Sequence, residues 1–239
     1  MTNTETRNAG GPALDGRLSC AVSFVRQDSV AADIGTDHAY IPVYLLTKGV
    51  SRFAVASDIN RGPLDRARMN AEKYGVADRM RFVLTDGLRG LEPEREGVTD
   101  IVICGMGGEL IARIVGESDY TRKPGVRLIL QPMSAADDLR RFLAEAGYRI
   151  LEERLSRAAG KLYACLCVEY DGVVRNFTSA ELLLGKRNIE NHEPLFREFA
   201  GHYAGRLRVQ IAGKTKGGLD ASAERECLGE IEKILEDLP

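Results

Sequence analysis

The chain has 239 residues, of which 44% are hydrophobic and 28% charged, a balance that is typical of a folded globular protein and excludes a disordered or collagen-like chain. At roughly 150 residues per domain, this length favours one full domain and a small appendage. The formal net charge of −2 excludes nucleic-acid binding through a uniformly basic surface, so any such binding has to use local patches.

The sequence carries no pattern of a membrane, secreted or metal-binding protein. Its longest apolar runs fall far short of the roughly 20 residues that a membrane-spanning helix needs. The N-terminal residues 1–11 are polar and lack the apolar core of a signal peptide, which predicts a cytoplasmic location. The five cysteines include no C-x-x-C pair, a composition that argues against both a disulfide framework and a structural zinc site. We therefore expect reduced thiols and no bound metal.

The first two thirds of the chain alternate between strand and helix patterns. Apolar residues recur at helical spacing over residues 12–26, which predicts an amphipathic helix before the first strand. The predicted strands that follow are residues 30–34, 53–57, 81–84, 101–104 and 126–130, and the helical patterns between and after them centre on residues 41–48, 63–74, 108–116 and 135–146. This alternation indicates a parallel sheet with helices on both faces.

Two further strands are predicted at residues 149–155 and 162–170. They are joined by the short link Ala158-Ala159-Gly160, which is too short for the crossover helix that parallel strands require, so the two strands must be antiparallel. The sequence therefore predicts an α/β fold with a seven-stranded mixed sheet whose last strand is antiparallel.

The C-terminal part, residues 179–239, is helical in period, with Pro194 and Gly217-Gly218 as the breakers. Two apolar stripes at helical spacing predict helices that bury each other as a hairpin. Their positions are Leu195, Phe199, Tyr203, Leu207 and Ile211 in one helix, and Leu228, Ile231, Leu235 and Leu238 in the other. We divide the chain into a first domain, residues 12–174, and a helical hairpin, residues 175–239.

Polar residues cluster after four of the predicted parallel strands. In a doubly wound sheet, ligands bind outside the carboxyl ends of the strands. An acid after the second strand can accept hydrogen bonds from both hydroxyls of a ribose, and an acid after the third, or its neighbouring backbone, can reach an adenine edge. The clusters are Asp33-Ile34-Gly35-Thr36-Asp37-His38, Asp58, Asp86-Gly87 and Gly105-Met106-Gly107-Gly108. Together they describe an adenosine pocket.

The first of these clusters selects among adenosine ligands. The dinucleotide fingerprint G-x-G-x-x-G is absent, and Asp37 puts a negative charge where a pyrophosphate would lie. NAD and ATP are therefore disfavoured, whereas the cationic S-adenosylmethionine fits the carboxylates of Asp33 and Asp37. Each acid taken singly is also consistent with an ordinary strand-end cap or turn. Three acids at corresponding strand ends favour a pocket.

Six motifs, in this order along the chain, resemble the bacterial tRNA (adenine-22-N1)-methyltransferase family. They are Ala32-Asp33-Ile34-Gly35-Thr36-Asp37-His38-Ala39-Tyr40-Ile41-Pro42, Asp58 followed by Gly62-Pro63-Leu64, Asp86-Gly87-Leu88, Gly105-Met106-Gly107-Gly108, Leu130-Gln131-Pro132-Met133 and Gly160-Lys161-x-Tyr163. The resemblance covers about residues 14–212. It implies a Rossmann-like class I methyltransferase domain, S-adenosylmethionine as the methyl donor, tRNA as the acceptor and a C-terminal coiled-coil hairpin.

The resemblance and the clusters together give a predicted cofactor site. Its residues are Asp33, Gly35, Thr36, His38, Asp58, Asn60, Asp86, Gly87, Gly105 and Met106. His38 at the start of a helix is equally consistent with a capping or packing role. No metal ligand is predicted.

For catalysis we expect contributions from Asp37, Tyr40 and Gly107. Adenine N1 already has an in-plane lone pair, so methyl transfer needs in-line placement more than a nucleophile or a strong base. The product base is cationic, and Asp37 or the backbone of residues 105–108 would stabilise the developing charge. Gly107 would let a flipped base approach closely. Tyr40 could stack on that base or simply pack its helix.

Three basic groups are candidates for an RNA surface. Each alone is typical of a solvated surface, and only their common position around one cleft would make a tRNA track. They are Arg122, Lys123 and Arg127; Arg140, Arg141, Arg154, Arg157 and Lys161; and Arg206, Arg208, Lys214 and Lys216, the last group in a stretch without acids. We expect the hairpin to bind tRNA, and homodimerisation through the C-terminal helices is a further expectation.

Two other functions stay open: a methyltransferase of the same fold acting on a small molecule or protein, and a non-catalytic tRNA-binding protein.

Overall fold

The structure is a computed structural model that describes residues 10–238. The strands in this range are β1 (Ser29–Ile34), β2 (Ser51–Asp58), β3 (Met80–Leu84), β4 (Asp100–Gly107), β5 (Arg127–Ser134), β6 (Tyr148–Ala158) and β7 (Lys161–Tyr170). They form one sheet in the order β3-β2-β1-β4-β5-β7-β6. Strands β1 to β5 pair in parallel, and β7 is antiparallel to both β5 and β6. The predicted seven-stranded mixed sheet with an antiparallel last strand is confirmed.

Helices cover both faces of the sheet. They are α1 (Gly16–Val22), α2 (Tyr40–Thr47), α3 (Arg61–Lys73), α4 (Pro93–Glu96), α5 (Gly108–Gly116), α6 (Ala136–Glu145), α7 (Ser179–Leu184), α8 (Lys186–Asn191), α9 (Phe196–Lys216) and α10 (Ser222–Glu236). Side chains of β1 alternate between the two faces: Ala31 packs in the core beneath α1 and α2, whereas Val30 and Ala32 pack in the core beneath α5 and α6. No helix in the described range is long and apolar enough to cross a membrane.

Helix α1 is shorter than the predicted residues 12–26. Asp15 caps it, because its Oδ1 accepts a hydrogen bond from the Leu18 N–H at 3.0 Å, a geometry that begins a helix at the next residue. The helix ends at Val22, yet Phe24 and Val25 remain buried. The apolar period continued past the helix because the following turn is also packed against the core. The prediction about the polar N-terminus concerns mainly residues 1–9, which lie outside the described residues.

The C-terminal hairpin is confirmed, with its breakers as predicted. Helix α9 begins two residues after Pro194 and ends directly before Gly217, and α10 follows after a short link. Leu207 of α9 and Ile231 of α10 are buried in the same apolar core as Leu139 of α6 and Ile150 of β6. The boundary at residue 174 stays a prediction, since the hairpin packs on the domain through one continuous core. Pro239, the predicted last residue of the hairpin, lies outside the described range.

A buried arginine of the first part connects it to α7 of the second. Arg140 of α6 donates from Nε to Glu153 of β6 at 2.7 Å, and both side chains are 0% exposed. Arg140 Nη1 also donates to the carbonyl oxygens of Leu182 and Leu183 in α7. At Gly185, where φ is +85°, a Cβ would lie 2.2 Å from Glu153 Oε2, so only glycine fits this break between α7 and α8. Arg140 is therefore a core residue, and its predicted place in a basic surface group is wrong.

Candidate active site

The turn after β1 brings three strand ends together. Gly35 has a φ of +76°, and a Cβ built on it would lie 1.9 Å from the Met106 methyl group at the end of β4. The N–H groups of Gly35 and Thr36 both donate to the carbonyl oxygen of Ser57 in β2 at 2.8 Å. The positive φ disfavours any side chain at position 35, and a Cβ there would also require the flexible end of Met106 to move. Residues 35, 36 and 106, all predicted for the cofactor site, therefore lie at one edge of the sheet.

Two acids end the neighbouring strands β1 and β2. Asp33 is buried, and this burial raises the pKa of its carboxyl group to about 6, against a hydrogen bond from Thr36 that lowers it and with a smaller contribution from the charge of Asp58 that raises it. Asp58 Oδ1 accepts a hydrogen bond from the Asn60 N–H at 2.7 Å. A buried carboxylate without a sufficient counter-charge is a feature of binding sites. The structure brings Asp33, Asp58 and Asn60 together as predicted, while their contacts to a cofactor stay predictions.

The third acid is engaged by a cation. Asp86 accepts hydrogen bonds from Arg113 of α5 at 3.0 and 3.3 Å, and these bonds hold the pKa of Asp86 below its ordinary value. Gly87 beside it has a φ of +59° and packs against Ile114. Because the carboxylate already pairs with Arg113, the backbone of residues 86 and 87 is the better candidate for an adenine edge.

Asp37, His38 and Tyr40 lie at the start of α2, on the rim of the site. The Asp37 carboxylate is 65% exposed and forms an ion pair with Arg66 at 2.6 Å, and its Oδ2 lies 3.3 Å from Nε2 of His38. The His38 and Tyr40 rings stack with centroids 5.2 Å apart. Arg66 compensates the charge of Asp37, which weakens the case for Asp37 as the group that stabilises the transferred methyl. Its catalytic role stays a prediction, as does that of Tyr40.

The glycines after β4 allow close packing of backbone on backbone. Gly107 lies directly before α5, and a Cβ there would be 3.3 Å from Ser134 Oγ. A Cβ on Gly108 would lie 2.0 Å from the carbonyl oxygen of Ala135, so the start of α5 presses on the loop after β5. The ends of β4 and β5 consequently form one wall, with Gly107 on it.

Sequence reasoning gave no role to two residues at this wall. Gln131 of β5 is fully buried, and its Oε1 accepts hydrogen bonds from the Gly105 N–H at 3.2 Å and from Arg17 Nη1 at 3.1 Å. The sequence signals for Gln131 were its place in the motif Leu130-Gln131-Pro132-Met133 and its polarity directly after the predicted strand 126–130, and neither signal indicated a role. Nothing in the sequence indicated Arg17, because its approach depends on how α1 packs.

A cleft with a volume of about 1080 Å³ opens beside this wall. It lies between the loop after β5, the β6–β7 turn and α9. Among its lining residues are Ser134, Lys161, Tyr163, His202, Tyr203 and Arg206. The Arg206 guanidinium lies over the Tyr203 ring, 5.6 Å from its centroid. Aromatic rings next to cations are the surface that stacks bases and contacts phosphates in single-stranded nucleic acid.

The predicted basic groups do not form one track. Arg208 and Lys214 of α9 pair with Glu232 and Glu224 of α10 at 2.7 and 2.6 Å, so the expectation of an acid-free hairpin tip is wrong. The acids missing from the α9 stretch are supplied by the facing helix. Ion pairs also engage Arg122, Lys123, Arg127, Arg154 and Arg157. Of the predicted basic residues, Lys161 and Arg206 line the cleft.

The described residues include no group of three or more His, Cys, Asp and Glu side chains that could hold a metal ion. All five cysteines are free thiols. Cys104, next to the predicted site of methyl transfer, is kept protonated because burial raises its pKa well above the ordinary value.

Comparison with known proteins agrees with this geometry. A family profile described as a methyltransferase domain matches residues 14–166. The tRNA (adenine(22)-N(1))-methyltransferase of Bacillus subtilis (strain 168) is 36% identical over 182 residues, which cover 72% of this chain and 73% of that protein. The chain belongs to this methyltransferase family.

Solved structures extend the similarity to the hairpin. The B. subtilis m1A22 tRNA methyltransferase superimposes with a TM-score of 0.77 at 27% identity, covering 94% of this chain and 96% of that one. A Streptococcus pneumoniae protein in complex with S-adenosyl-L-methionine, provisionally assigned as a tRNA (m1A22) methyltransferase, gives a TM-score of 0.79 at 32% identity, covering 92% and 98%. Both the sheet and the C-terminal helices are therefore family features.

Proposed function

We propose that this methyltransferase transfers the methyl group of S-adenosylmethionine to N1 of adenine 22 in tRNA. The observation that carries the proposal is a juxtaposition. The acids Asp33 and Asp58 end β1 and β2, and the cleft with its aromatic rings and the cations Lys161 and Arg206 begins at the end of β5. Both therefore lie at the carboxyl edge of one sheet, with the wall at the end of β4 between them. One half suits a cationic adenosine cofactor and the other suits an RNA strand, and the B. subtilis relative acts on adenine 22 of tRNA.

The residues at the edge fit the cofactor. The raised pKa of Asp33 indicates a buried carboxyl group that lacks a counter-charge, which the ammonium group of S-adenosylmethionine would supply. Asp58 would accept from the ribose hydroxyls, and the turn at Gly35 would admit the ligand close to the backbone. The cofactor supplies an electrophilic methyl group on a sulfonium that leaves as a neutral thioether.

The protein's contribution to the reaction is placement and charge stabilisation. The N1 lone pair forms the new N–C bond as the S–C bond breaks, with its electron pair going to sulfur, and the adenine becomes cationic. No proton has to be removed first, so no general base is required. Carbonyl oxygens near residues 105–107 would stabilise the cationic base, and the absence of a side chain at Gly107 would admit its edge. Tyr40 and Asp37 are retained as predicted contacts on the rim.

The cleft would hold the RNA around the target nucleotide. Tyr163 and Tyr203 offer rings for stacking, and Lys161 and Arg206 offer charges for phosphates. Arg208 and Lys214 are paired within the hairpin and contribute less. The tRNA contact therefore centres on the cleft wall of α9, away from the hairpin tip.

Methylation of defined transcripts tests the proposal. An unmodified tRNA transcript with adenine at position 22 should gain one methyl group per molecule, and nuclease digestion with mass spectrometry should find 1-methyladenosine at that position. The same transcript with guanine 22 is the matched control and should gain none. Methyl transfer to other adenines, to protein or to metabolites would contradict the assignment, and binding of tRNA without methylation would indicate a non-catalytic protein.

Location and assembly follow as parts of the same proposal. An enzyme acting on tRNA is placed in the cytoplasm. For a homodimer through the C-terminal helices, the outer face of α9 around Val209, which is 74% exposed, is the available surface. Light scattering of the purified protein should give twice the 26.2 kDa chain mass; a monomer at working concentration would rule the dimer out.

A further inference from the structure

The ladder between β4 and β5 is interrupted at the wall of the active site. The two strands pair regularly up to Cys104 opposite Gln131, and the next pair is Met106 opposite Pro132, so that Gly105 has no partner in the register. The φ of Gly105 is +80°. Such a bulge leaves a backbone N–H without a strand partner. Gly105 itself is exposed, and the acceptor available to its N–H within the protein is the side chain of the fully buried Gln131.

The side chain of Gln131 replaces the missing partner. Its Oε1 accepts from the Gly105 N–H at 3.2 Å, and its Nε2 donates to the Pro132 carbonyl oxygen at 2.9 Å. The amide thus joins the two strands across the bulge. A fully buried glutamine with donors at its oxygen and an acceptor at its nitrogen has one orientation and little freedom to leave it.

Arg17 fixes the glutamine from the other side. Its Nη1 donates to Gln131 Oε1 at 3.1 Å, while its Nε and Nη2 donate to Asp15 Oδ2 at 3.1 and 2.9 Å. Asp15 is the cap of α1. The guanidinium also lies over the Tyr163 ring, 5.7 Å from its centroid. A chain of hydrogen bonds consequently runs from the start of α1 to the backbone of residue 105.

We propose that Gln131 is a positioning residue for methyl transfer and that Arg17 acts through it. This inference rests on the proposed function. The bulge sets where the backbone of residues 105–107 lies and where Met106 meets Gly35. Gln131 holds that bulge without reaching the base or the cofactor itself. When the hydrogen bond between Gln131 and the Gly105 N–H is lost, the backbone of residues 105–107 shifts. The methyl group and the acceptor nitrogen are then no longer held in line.

Kinetics of two variants separate positioning from binding. Gln131→Met keeps the length of the side chain and removes the acceptor. We expect kcat for tRNA methylation to fall about 10- to 100-fold, as for a small misplacement of reacting groups, with the KM values for cofactor and tRNA changed less than about threefold. Gln131→Glu keeps an acceptor for the Gly105 N–H and Arg17 but loses the donor to the Pro132 carbonyl oxygen, so its kcat should lie between those of the wild type and Gln131→Met.

Thr121→Val is the matched control for loss of a buried hydrogen bond. The Thr121 hydroxyl is fully buried and bonded to Tyr148 at 2.8 Å, in the turn before β5 and so away from the carboxyl edge. This variant should lower thermal stability without lowering kcat. Equal losses of kcat in Thr121→Val and Gln131→Met would show that stability explains both and would overturn the proposal.

A double-mutant comparison assigns the role of Arg17. If Arg17 acts through Gln131, Arg17→Met should lower kcat in the wild-type background and have no further effect in Gln131→Met, since coupled residues are not additive. Independent losses in the double variant would instead show that Arg17 contacts the substrate directly, which contradicts this part of the proposal.

Amide hydrogen exchange provides a measure that does not depend on activity. In protein labelled with ¹⁵N-glycine, the Gly105 N–H should exchange faster in Gln131→Met than in the wild type, with no change in Thr121→Val. Unchanged exchange would overturn the inference even if the wild type methylates tRNA. Wild-type protein that fails to methylate tRNA would instead remove the proposed function, and the exchange result would still decide whether Gln131 holds the bulge.

Discussion

Asp33 links the burial of one carboxyl group to the pH at which the cofactor binds. Its pKa is about 6 in the folded protein, above the ordinary value for an aspartate. Between these two values the unfolded chain releases the proton while the folded chain keeps it. The stability of the cofactor-free protein therefore falls as pH rises through this window, and the loss is complete above about pH 6.

Cofactor affinity should have the opposite dependence. A cationic ligand binds the ionised form of Asp33, so the dissociation constant of S-adenosylmethionine measured by calorimetry should be about tenfold larger at pH 5 than at pH 7. In Asp33→Asn the affinity should be lower overall and this pH dependence should vanish. An unchanged slope in the variant would assign the dependence to another group.

Asp58 should also contribute to cofactor affinity. Asp58→Ala removes a charged acceptor for ribose hydroxyls, and we expect the dissociation constant of the cofactor to rise roughly 10- to 100-fold, about 1.5 to 3 kcal/mol. Asp65 on α3 is exposed, so Asp65→Ala removes the same charge outside the predicted site and should leave the affinity unchanged. A folded Asp58→Ala protein with wild-type affinity would exclude Asp58 from the cofactor site.

At the scale of elements, the sequence predicted the features that depend on the local spacing of apolar residues and on the residues at strand ends. Strand alternation, the short link at Ala158-Ala159-Gly160 and the breakers Pro194 and Gly217 were sufficient for the sheet and the hairpin. The acids at strand ends could be placed together because parallel strands share a carboxyl edge.

The errors arose where an outcome depends on how elements pack. Whether Arg208 meets Glu232 depends on the register between α9 and α10, and whether Arg140 is buried depends on α7 lying over it. The spacing of residues along one helix encodes neither the register between two helices nor the burial of a side chain by another helix. The role of Gln131 was missed for the same reason, since its side chain forms a hydrogen bond across a bulge between two strands.

The buried pair of Arg140 and Glu153 should dominate the attachment of α7 to the domain. Arg140→Met leaves the Glu153 carboxylate buried without its cation, and we expect the free energy of unfolding to fall by about 3 to 5 kcal/mol. Replacing both residues, as in Arg140→Met with Glu153→Leu, should recover a large part of this loss. Urea denaturation measures both values, and a loss below about 1 kcal/mol in the single variant would contradict the assignment.

The cleft wall makes a separable prediction about RNA. Replacing Lys161 and Arg206 by glutamine should weaken tRNA binding and reduce the slope of log affinity against log salt by about 1 to 2. Arg208→Gln with Lys214→Gln removes the same charge from cations that are paired with acids, and should have a smaller effect on binding. Filter binding at several salt concentrations compares the two pairs. Equal effects of the two double variants on tRNA binding would indicate that the overall charge of the surface attracts tRNA and that the cleft is not a defined binding site.

For the whole molecule, the shared core decides whether the two parts can be separated. A chain that ends after Asn176 would expose the apolar residues of α6 and β6 that pack against α7 and α9, and Arg140 would lose its carbonyl partners. We expect this truncated chain to lack a cooperative thermal transition and to bind dye that reports exposed apolar surface. A cooperative transition with wild-type cofactor affinity would show that residues 12–174 are an independent domain.

That common core also decides which molecule changes shape when enzyme and RNA meet. The cleft has one wall from the sheet and the other from α9, and one continuous apolar core joins these walls, so the width of the cleft is set before RNA binds. Adjustment then falls to the nucleic acid, which has to unstack and turn out the target adenine. Substrates whose target base is loosely stacked should react faster than firmly stacked ones, and this discrimination would come from the mechanics of the RNA, with no side chain reading the sequence.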